Sequence, residues 1–465
     1  MTQATTLFDK LWQMHRIADA GDGADLLALD RVFLHERTGG VALKSLAECG
    51  RSVRSPERVW AIMDHIVSFK DGRGRDESRS PGGEQFILET RERALAAGIG
   101  LIDTDDPHQG IVHVVTPELG LALPGMTVVC PDSHTCSLGA LGALAWGIGS
   151  SQAEHAMATS ALRQQKPGQM RVSVNGAFSP GVTAKDLALH LIAAHGAAGG
   201  QRCAIEFAGE TVANMDIEER LTLCNLAVEF SAFTGLIAPD DVTFRYVHGR
   251  RYAPKADQWE RALQHWQRLK TDRRAVFDHE IEVQAEDVSP TVTWGTSPEE
   301  ACPLDQHVPV DANPRALAYM GLRPGQRLSD LPIEGVFIGS CTNGRLSDLR
   351  AAADVLRDRK VADGMRAVCV PGSRLVRAQA EAEGLDVVFK QAGFQWGAPG
   401  CAMCFYAGGE TFERGARVVS STNRNFEGRQ GPGVRTHLAS PATAAASAVA
   451  GRITSARSIV GGAGR

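Results

Sequence analysis

Apolar positions recur at two periods along this chain, and the two periods take turns. Leu7, Leu11, Met14 and Ile17 follow helical spacing. The first 55 residues read as helix, loop, strand and helix, with LLALD and RVFLHE forming a buried apolar run. Residues 88–99 predict a helix closed at Gly98, and 126–130 (MTVVC) predict a buried strand. Ser151 and Glu154 form a capping-box pattern that opens a helix to about Gln165. Residues 166–181 carry a hairpin signal with Asn175-Gly176 at its turn. A helix over 182–196 with Thr183 as its cap comes next, then strand and turn over 205–215. A long helix over 217–235 ends at Gly235.

Residues 286–314 carry five prolines and little periodicity, which marks a linker. Beyond it VFIGS, MRAVCV and ARVVSS read as strands that alternate with helical LSDLRAAADVLRD and LVRAQAEAEGL. Strands alternating with helices predict an α/β class with parallel sheets. The hairpin signal and the linker place boundaries near 167 and 300, so three α/β domains are expected over 1–167, 168–300 and 301–465. No sequence repeat is visible, and the terminal GGAGR is expected to fray.

The chain has 465 residues, 43% apolar and 22% charged, which is ordinary globular usage. Its net charge is −5 with no block of like charge, so nothing points to nucleic acid or a membrane surface. There is no run of 18 apolar residues and no apolar signal core at the N-terminus, so a cytoplasmic protein is expected. Ten scattered cysteines do not suggest a disulfide framework.

Three segments carry candidate chemistry: GSCTNGR (339–345), PGCAMC (399–404) and SSTNRNFEGRQG (420–431). The C-x-x-C of Cys401 and Cys404 alone fits a redox pair or half a zinc site. No second C-x-x-C accompanies it. Together with Cys341, three thiolates from two loops also suit three irons of a cubane cluster, leaving a fourth iron open as a Lewis acid. Elsewhere Asp64-His65, His113 and Asp132-x-His134 offer imidazoles near carboxylates, which suits proton transfer. Asn225 and Glu229, spaced i,i+4, are expected on one helix face. The Gly-rich GIGSS at 147–151 lacks the full dinucleotide fingerprint.

These segments, taken with MDHIVS, GIVHVVTPE, MTVVC, DSHT, GVTAKD, LTLCNLAVE, SPTVTWGT, FIGSCTN and SPATAAA, resemble the aconitase superfamily. The likeness runs through nearly the whole chain and is strongest to the large subunits of the two-chain isopropylmalate isomerase branch. It implies an aconitase-like fold of three α/β layers around a central cleft. It implies a 4Fe–4S cluster on Cys341, Cys401 and Cys404, and reversible dehydration of a small hydroxydicarboxylic acid. It implies catalytic His–carboxylate groups at Asp64, His65, His113, Asp132, His134 and Glu229. Asn423, Arg424, Arg429 and Asn225 match the substrate-binding cradle, and the Asn225 and Asn343 amides are expected to orient the sulfurs or the cluster's water. Asn425 is given no role.

Single-chain members carry a swivel domain with a Ser-Arg motif whose serine is the base. No S-R-E-H-like stretch occurs here. The expectation is therefore a chain without that domain, partnered by a small swivel-domain subunit. Pro131, Ser137-Leu138, HERTGG and EFSAFTG depart from the family's usual loops. They keep open a paralogue that acts on citraconate, maleate or a methylmalate. A cluster-free RNA-binding role is disfavoured by the charge balance, and a zinc protein would be separated by metal analysis.

Overall fold

Three parallel sheets, each wound in the same order, organise the chain. The structure is a computed structural model and describes residues 4–460. The first sheet holds β1 (Arg31–His35), β2 (Val59–Ile62), β3 (Gly100–Ile102), β4 (Thr127–Cys130) and β5 (Leu144–Gly147), in the order β3-β2-β1-β4-β5. The second holds β6 (Gln169–Asn175), β7 (Ala204–Ala208), β8 (Thr234–Leu236) and β9 (His279–Gln284), in the order β8-β7-β6-β9. The third holds β10 (Gly335–Ile338), β11 (Arg366–Cys369), β12 (Gln395–Trp396), β13 (Arg417–Ser420) and β14 (Arg435–Leu438), in the order β12-β11-β10-β13-β14. Every pairing within them is parallel. The strands are short and apolar because both sheet faces are covered; TVVC, GVFI and RVVS are buried at every position.

In each sheet the winding reverses between the first and fourth strands. Chain segments leaving the carboxyl ends of those two strands diverge, and the crevice between them is where such folds bind ligands. In the first sheet those ends run into His35-Glu36 and Asp132–His134. In the third they run into Gly339–Cys341 and Ser421–Arg424. The segments singled out for chemistry thus leave the ends of central strands.

Several local expectations are corrected. Helix Leu7–His15 buries Leu7, Phe8, Leu11 and Trp12, while Met14 and Ile17 are 42% and 57% exposed. The helix stops at His15 because the chain turns into an exposed strand, Arg16–Asp19, that pairs with Ala24–Ala28. The first 55 residues therefore hold three strands rather than one. The helix expected to reach Gln165 runs only over Ser150–Thr159; Gly149 and Gln152, not Ser151 and Glu154, make its capping pair. Ser160 turns left-handed, and Ala161–Gln165 pairs antiparallel with Ala24–Ala28. Strand pairing overrides helix propensity there.

No hairpin forms at Asn175-Gly176. β6 pairs with parallel β7 and β9, and the turn leads into helix Ala184–His195, capped by Thr183 with Asp186 as expected. A Gly at φ +83 serves a strand-to-helix turn as well as a hairpin. The helix expected over 217–235 ends at Leu226, followed by a tight turn over Ala227–Phe230. Gly235 lies in β8, where an added Cβ would sit 2.9 Å from that of Ala227. Asn225 and Glu229 consequently do not share one α-helix face.

The proline-rich stretch is no loose linker. Val292, Trp294, Cys302 and Leu304 pack into the core of the third unit, and Thr291–Thr293 pairs with Ala301–Pro303. Phe244, Trp266 and Leu269, which lie between β8 and β9 in sequence, pack into the core of the first unit. The expected fraying at 461–465 lies outside the described residues.

The first and second units touch through backbone. Gly139 accepts a hydrogen bond from the Ile237 amide, and an added Cβ would lie 1.8 Å from the Gly235 carbonyl oxygen. Main chain cannot yield as a side chain can. Gly139→Ala should therefore lower the thermal midpoint by roughly 1–3 °C, as overpacking by about 1–3 kcal/mol does in a chain of this length. A melt indistinguishable from the parent would refute this contact.

Candidate functional site

A line of ionisable side chains, alternately acidic and basic, crosses all three units. It begins at Asp64, just past β2, whose Oδ1 lies 2.5 Å from His65 Nδ1. His65 Nε2 lies 3.1 Å from Asp132 Oδ2, just past β4. The other Asp132 oxygen accepts the His134 amide at 2.7 Å. His134 Nε2 meets Glu229 of the second unit at 2.8 Å, and Glu229 meets Arg424 Nε of the third at 2.7 Å. Arg424 also donates to Ser133 Oγ at 3.0 Å, and among the described residues no hydrogen bond uses its Nη1.

Burial and pairing set the protonation along this line. Burial alone would lower the His65 pKa, but Asp64, the Cys401 thiol and Asp132 hold it well above the ordinary imidazole value. Both ring nitrogens can then donate, each to a carboxylate. Asp132 is held well below the usual carboxylate range against its burial, by His113, His134 and His65. Glu229 is lowered against burial by His134 and then Arg424. His113 differs. It is fully buried, neither ring nitrogen has a partner among the described residues, and burial pulls its pKa down to about 4. Its ring is neutral at pH 7.

The expected cysteines converge beneath this line. The Asn423 amide spans two of them: its Nδ2 lies 3.5 Å from Cys341 Sγ, and its Oδ1 3.8 Å from Cys404 Sγ. Asn225 Nδ2 lies 3.2 Å from Cys341 Sγ, and Arg429 3.5 Å from Cys404 Sγ. The Cys401 amide donates to the Asp64 carbonyl at 2.9 Å, which ties the cysteine loop to the start of the ionisable line. Burial raises the Cys341 thiol to about 12 and the Cys401 thiol well above its ordinary value. Three soft donors, two of them with N–H groups directed at their sulfurs, fit an iron–sulfur cluster. The tight group His35, Glu36, Asp64 and His65 does not fit a cation. Both Glu36 oxygens accept main-chain amides, from Asp64 and Ile66, and both Asp64 oxygens are bonded, to His65 and the Val112 amide.

A cleft of about 340 Å³ opens over these groups, lined by His35, His65, Asp132, His134, Arg424 and Arg429, with Arg37 and Phe405 beside them. Three guanidiniums with imidazoles in one open cleft suit a polycarboxylate. Asn343, expected to orient a sulfur, and Asn425, given no role, lie outside this arrangement. Asn343 donates to Thr222 and Asp348 rather than to sulfur, and Asn425 donates to Thr293 and Gly295.

The sequence reading missed His35 and Glu36. His35 stacks on His65 with ring centroids 3.8 Å apart and donates to the Pro131 carbonyl. Glu36 is buried, its pKa raised to about 7 by burial and by Asp64, and it holds the Asp64–Ile66 backbone. Their position directly after a central strand was the signal that could have found them.

Comparison with known proteins follows the same lines. A model of the Aconitase family (aconitate hydratase) matches residues 9–451. The chain is 50% identical over 468 residues, 98% of each chain, to 3-isopropylmalate dehydratase large subunit 1 of Bradyrhizobium diazoefficiens. Among solved structures it is similar to the holo-form of Thermococcus kodakaraensis aconitase X, with 14% identity over 86% of this chain and 84% of that one and a TM-score of 0.47.

The unpartnered His113 has a pH consequence. Its folded pKa of about 4 lies below the ordinary 6.5, so the unfolded chain binds the proton first on acidification. Stability is full above pH 6.5 and is lost as pH falls toward about 4. In the metal-free chain His113→Asn should remove this slope, about 2 kcal/mol between pH 6.5 and pH 5. Denaturant midpoints of both proteins at the two pH values check it; parallel slopes would count against a neutral, enclosed ring.

Proposed function

This chain belongs to the aconitase family, and from that premise we propose that it is the large subunit of a 3-isopropylmalate dehydratase. In this reading it interconverts 2- and 3-isopropylmalate through 2-isopropylmaleate, a step of leucine biosynthesis. The carrying observation is the Asn423 amide laid across the Cys341 and Cys404 sulfurs, directly under the ionisable line. Support for the substrate and the subunit comes from a relative of matching length whose name states both. Domains over 1–167, 168–300 and 301–465 complete the reading, each carrying one parallel sheet, with residues of 244–269 lent to the first core and of 292–304 to the third. The compartment is the cytoplasm, where thiols stay reduced; among the described residues no helix is long and apolar enough to cross a membrane.

Cys341, Cys401 and Cys404 would hold a 4Fe–4S cluster. Once bound, it supplies an iron with an open position, a Lewis acid for the substrate's hydroxyl and carboxylate. The chain's own residues do the rest. Arg424 Nη1 and Arg429 grip the carboxylates with rigid forks of donors. His65, kept charged between Asp64 and Asp132, stores the proton delivered to the leaving hydroxyl. His134, fixed by Glu229, and the neutral His113 orient that oxygen and pass protons between it and Asp132. Dehydration also removes a proton from carbon, and the proposed base is a serine of a small subunit of roughly 200 residues, a single-domain size.

The deciding experiment is a steady-state assay of the anaerobically reconstituted pair against isopropylmalate, citraconate and maleate. Isopropylmalate is expected to be preferred. Preference for citraconate or maleate would leave the chemistry and move the substrate, in line with Pro131 lining the cleft. The chain alone, with full iron, should lose about 10²–10⁴-fold in turnover for want of the base. Equal rates with and without the small subunit would refute the two-chain reading.

Cys341→Ser, Cys401→Ser and Cys404→Ser should each lose iron and activity, while Cys49→Ser, at an exposed site, should keep both. Full iron content in Cys404→Ser would overturn the ligand assignment. Arg424→Lys should raise KM about tenfold or more with a smaller change in kcat, because a point charge replaces the fork.

A further inference from the structure

Lys185 is a wholly buried lysine on helix Ala184–His195 of the second unit. Among the described residues no carboxylate lies within ion-pair distance of it. The carboxylate next to it in sequence, Asp186, is bonded to Thr183 and Thr291, and that of Asp348 to Asn343 and Arg345. Lysine is rarely buried without such a partner, because losing water costs the charged form heavily. Its ammonium instead donates to two main-chain carbonyls of the third unit, Ser421 and Thr422. These leave the end of β13 and immediately precede Asn423 and Arg424.

We propose that Lys185 is a positioning residue of the sulfur site: by clamping the Ser421 and Thr422 carbonyls it fixes the Asn423 amide across Cys341 and Cys404. The geometry is a short relay. The two carbonyls set the direction of the chain where it leaves the sheet, and the next residue reaches both sulfurs. Ser421 is held a second time, by Oγ bonds to the Gly339 amide and carbonyl, beside Cys341. The segments bearing Asn423 and Cys341 are therefore tied together, and Lys185 adds a tie from the second unit at Ser421 and Thr422, beside those that Thr222 and Asn225 make to Thr342 and Glu229 makes to Arg424. Burial draws the Lys185 pKa down to about 7, yet the neutral amine keeps two N–H donors, so the clamp does not depend on charge. Its bearing on turnover rests on the proposed function; the clamp itself concerns only the folded chain.

The test uses the full-length, metal-free chain and iodoacetamide, with labelling rates read separately at each cysteine by mass spectrometry. In Lys185→Met the Cys341 and Cys404 sulfurs should label about tenfold faster, the scale on which groups behind metal ligands act. Cys401, to which Asn423 makes no hydrogen bond among the described residues, and Cys369, buried in β11, should keep their parent rates. Asn423→Ala should give the same selective gain, and the double variant should be no faster than Asn423→Ala alone. Lys185→Gln, which can satisfy only part of the clamp, should fall between parent and Met variant, and gives the same readout if the Met variant is insoluble. Unchanged rates at Cys341 and Cys404, equal acceleration at all four cysteines, or additive effects in the double variant would each overturn the proposal. The parent's failure to bind iron would sink the proposed function and leave the labelling result to decide on Lys185.

Discussion

Burying opposite charges in a continuous line is the constraint on which the rest of this molecule depends. A single ionised group taken out of water costs several kcal/mol, and that cost is offset only if each neighbour is of opposite sign and well placed. Acidic and basic side chains alternate through Asp64, His65, Asp132, His134, Glu229 and Arg424, so that every carboxylate of the line faces a donor. No member can be moved without stranding the next. Because the members come from three separately wound sheets, the line also fixes how the units face one another. The same demand accounts for Glu36, whose carboxylate is placed to hold the Asp64–Ile66 backbone rather than to face the cleft.

The shared strand order explains how so many distant residues reach one place. In the first and third sheets, the segments after the first and fourth strands open the crevice, and they hold His35, Asp132, His134, Cys341, Asn423 and Arg424. The sheets need only present those two crevices to each other for thiols, imidazoles and guanidiniums to meet. The second unit contributes differently. It sends Asn225 and Glu229 from its helix and the turn after it, and Lys185 from the start of another helix. It acts as the brace against which the other two are set.

What the sequence revealed divides along the same physical line. Residues whose chemistry is local were legible: three cysteines in two tight loops, Asp64 beside His65, Asp132 two before His134. The class of fold was legible as well, because buried parallel strands leave short apolar runs between helices. What depended on pairing partners far along the chain was not. Ala161–Gln165 is a strand because Ala24–Ala28 lies beside it. Gly235 is a strand residue because Ala204–Ala208 lies beside it. The threefold repetition of strand order left no repeat in the residues, since order is a property of crossovers and not of side chains. His35 and Glu36 were missed for that reason, their importance being a matter of which strand they follow.

The sulfur site adds a final step. In the folded chain burial pushes the Cys341 and Cys401 thiols upward, against the thiolate form that metals require. The same fold aims N–H donors of Asn225, Asn423 and Arg429 at Cys341 and Cys404. Such donors gain little from a neutral thiol, a weak acceptor, and much from a thiolate. The two effects are compatible only if negative charge on sulfur belongs to the working state. On the proposed reading that charge arrives with iron, and the thiol protons leave as it binds. The arrangement then favours a bound cluster through bonds already in place to the sulfurs of Cys341 and Cys404, which offset the burial that otherwise keeps the empty thiols protonated.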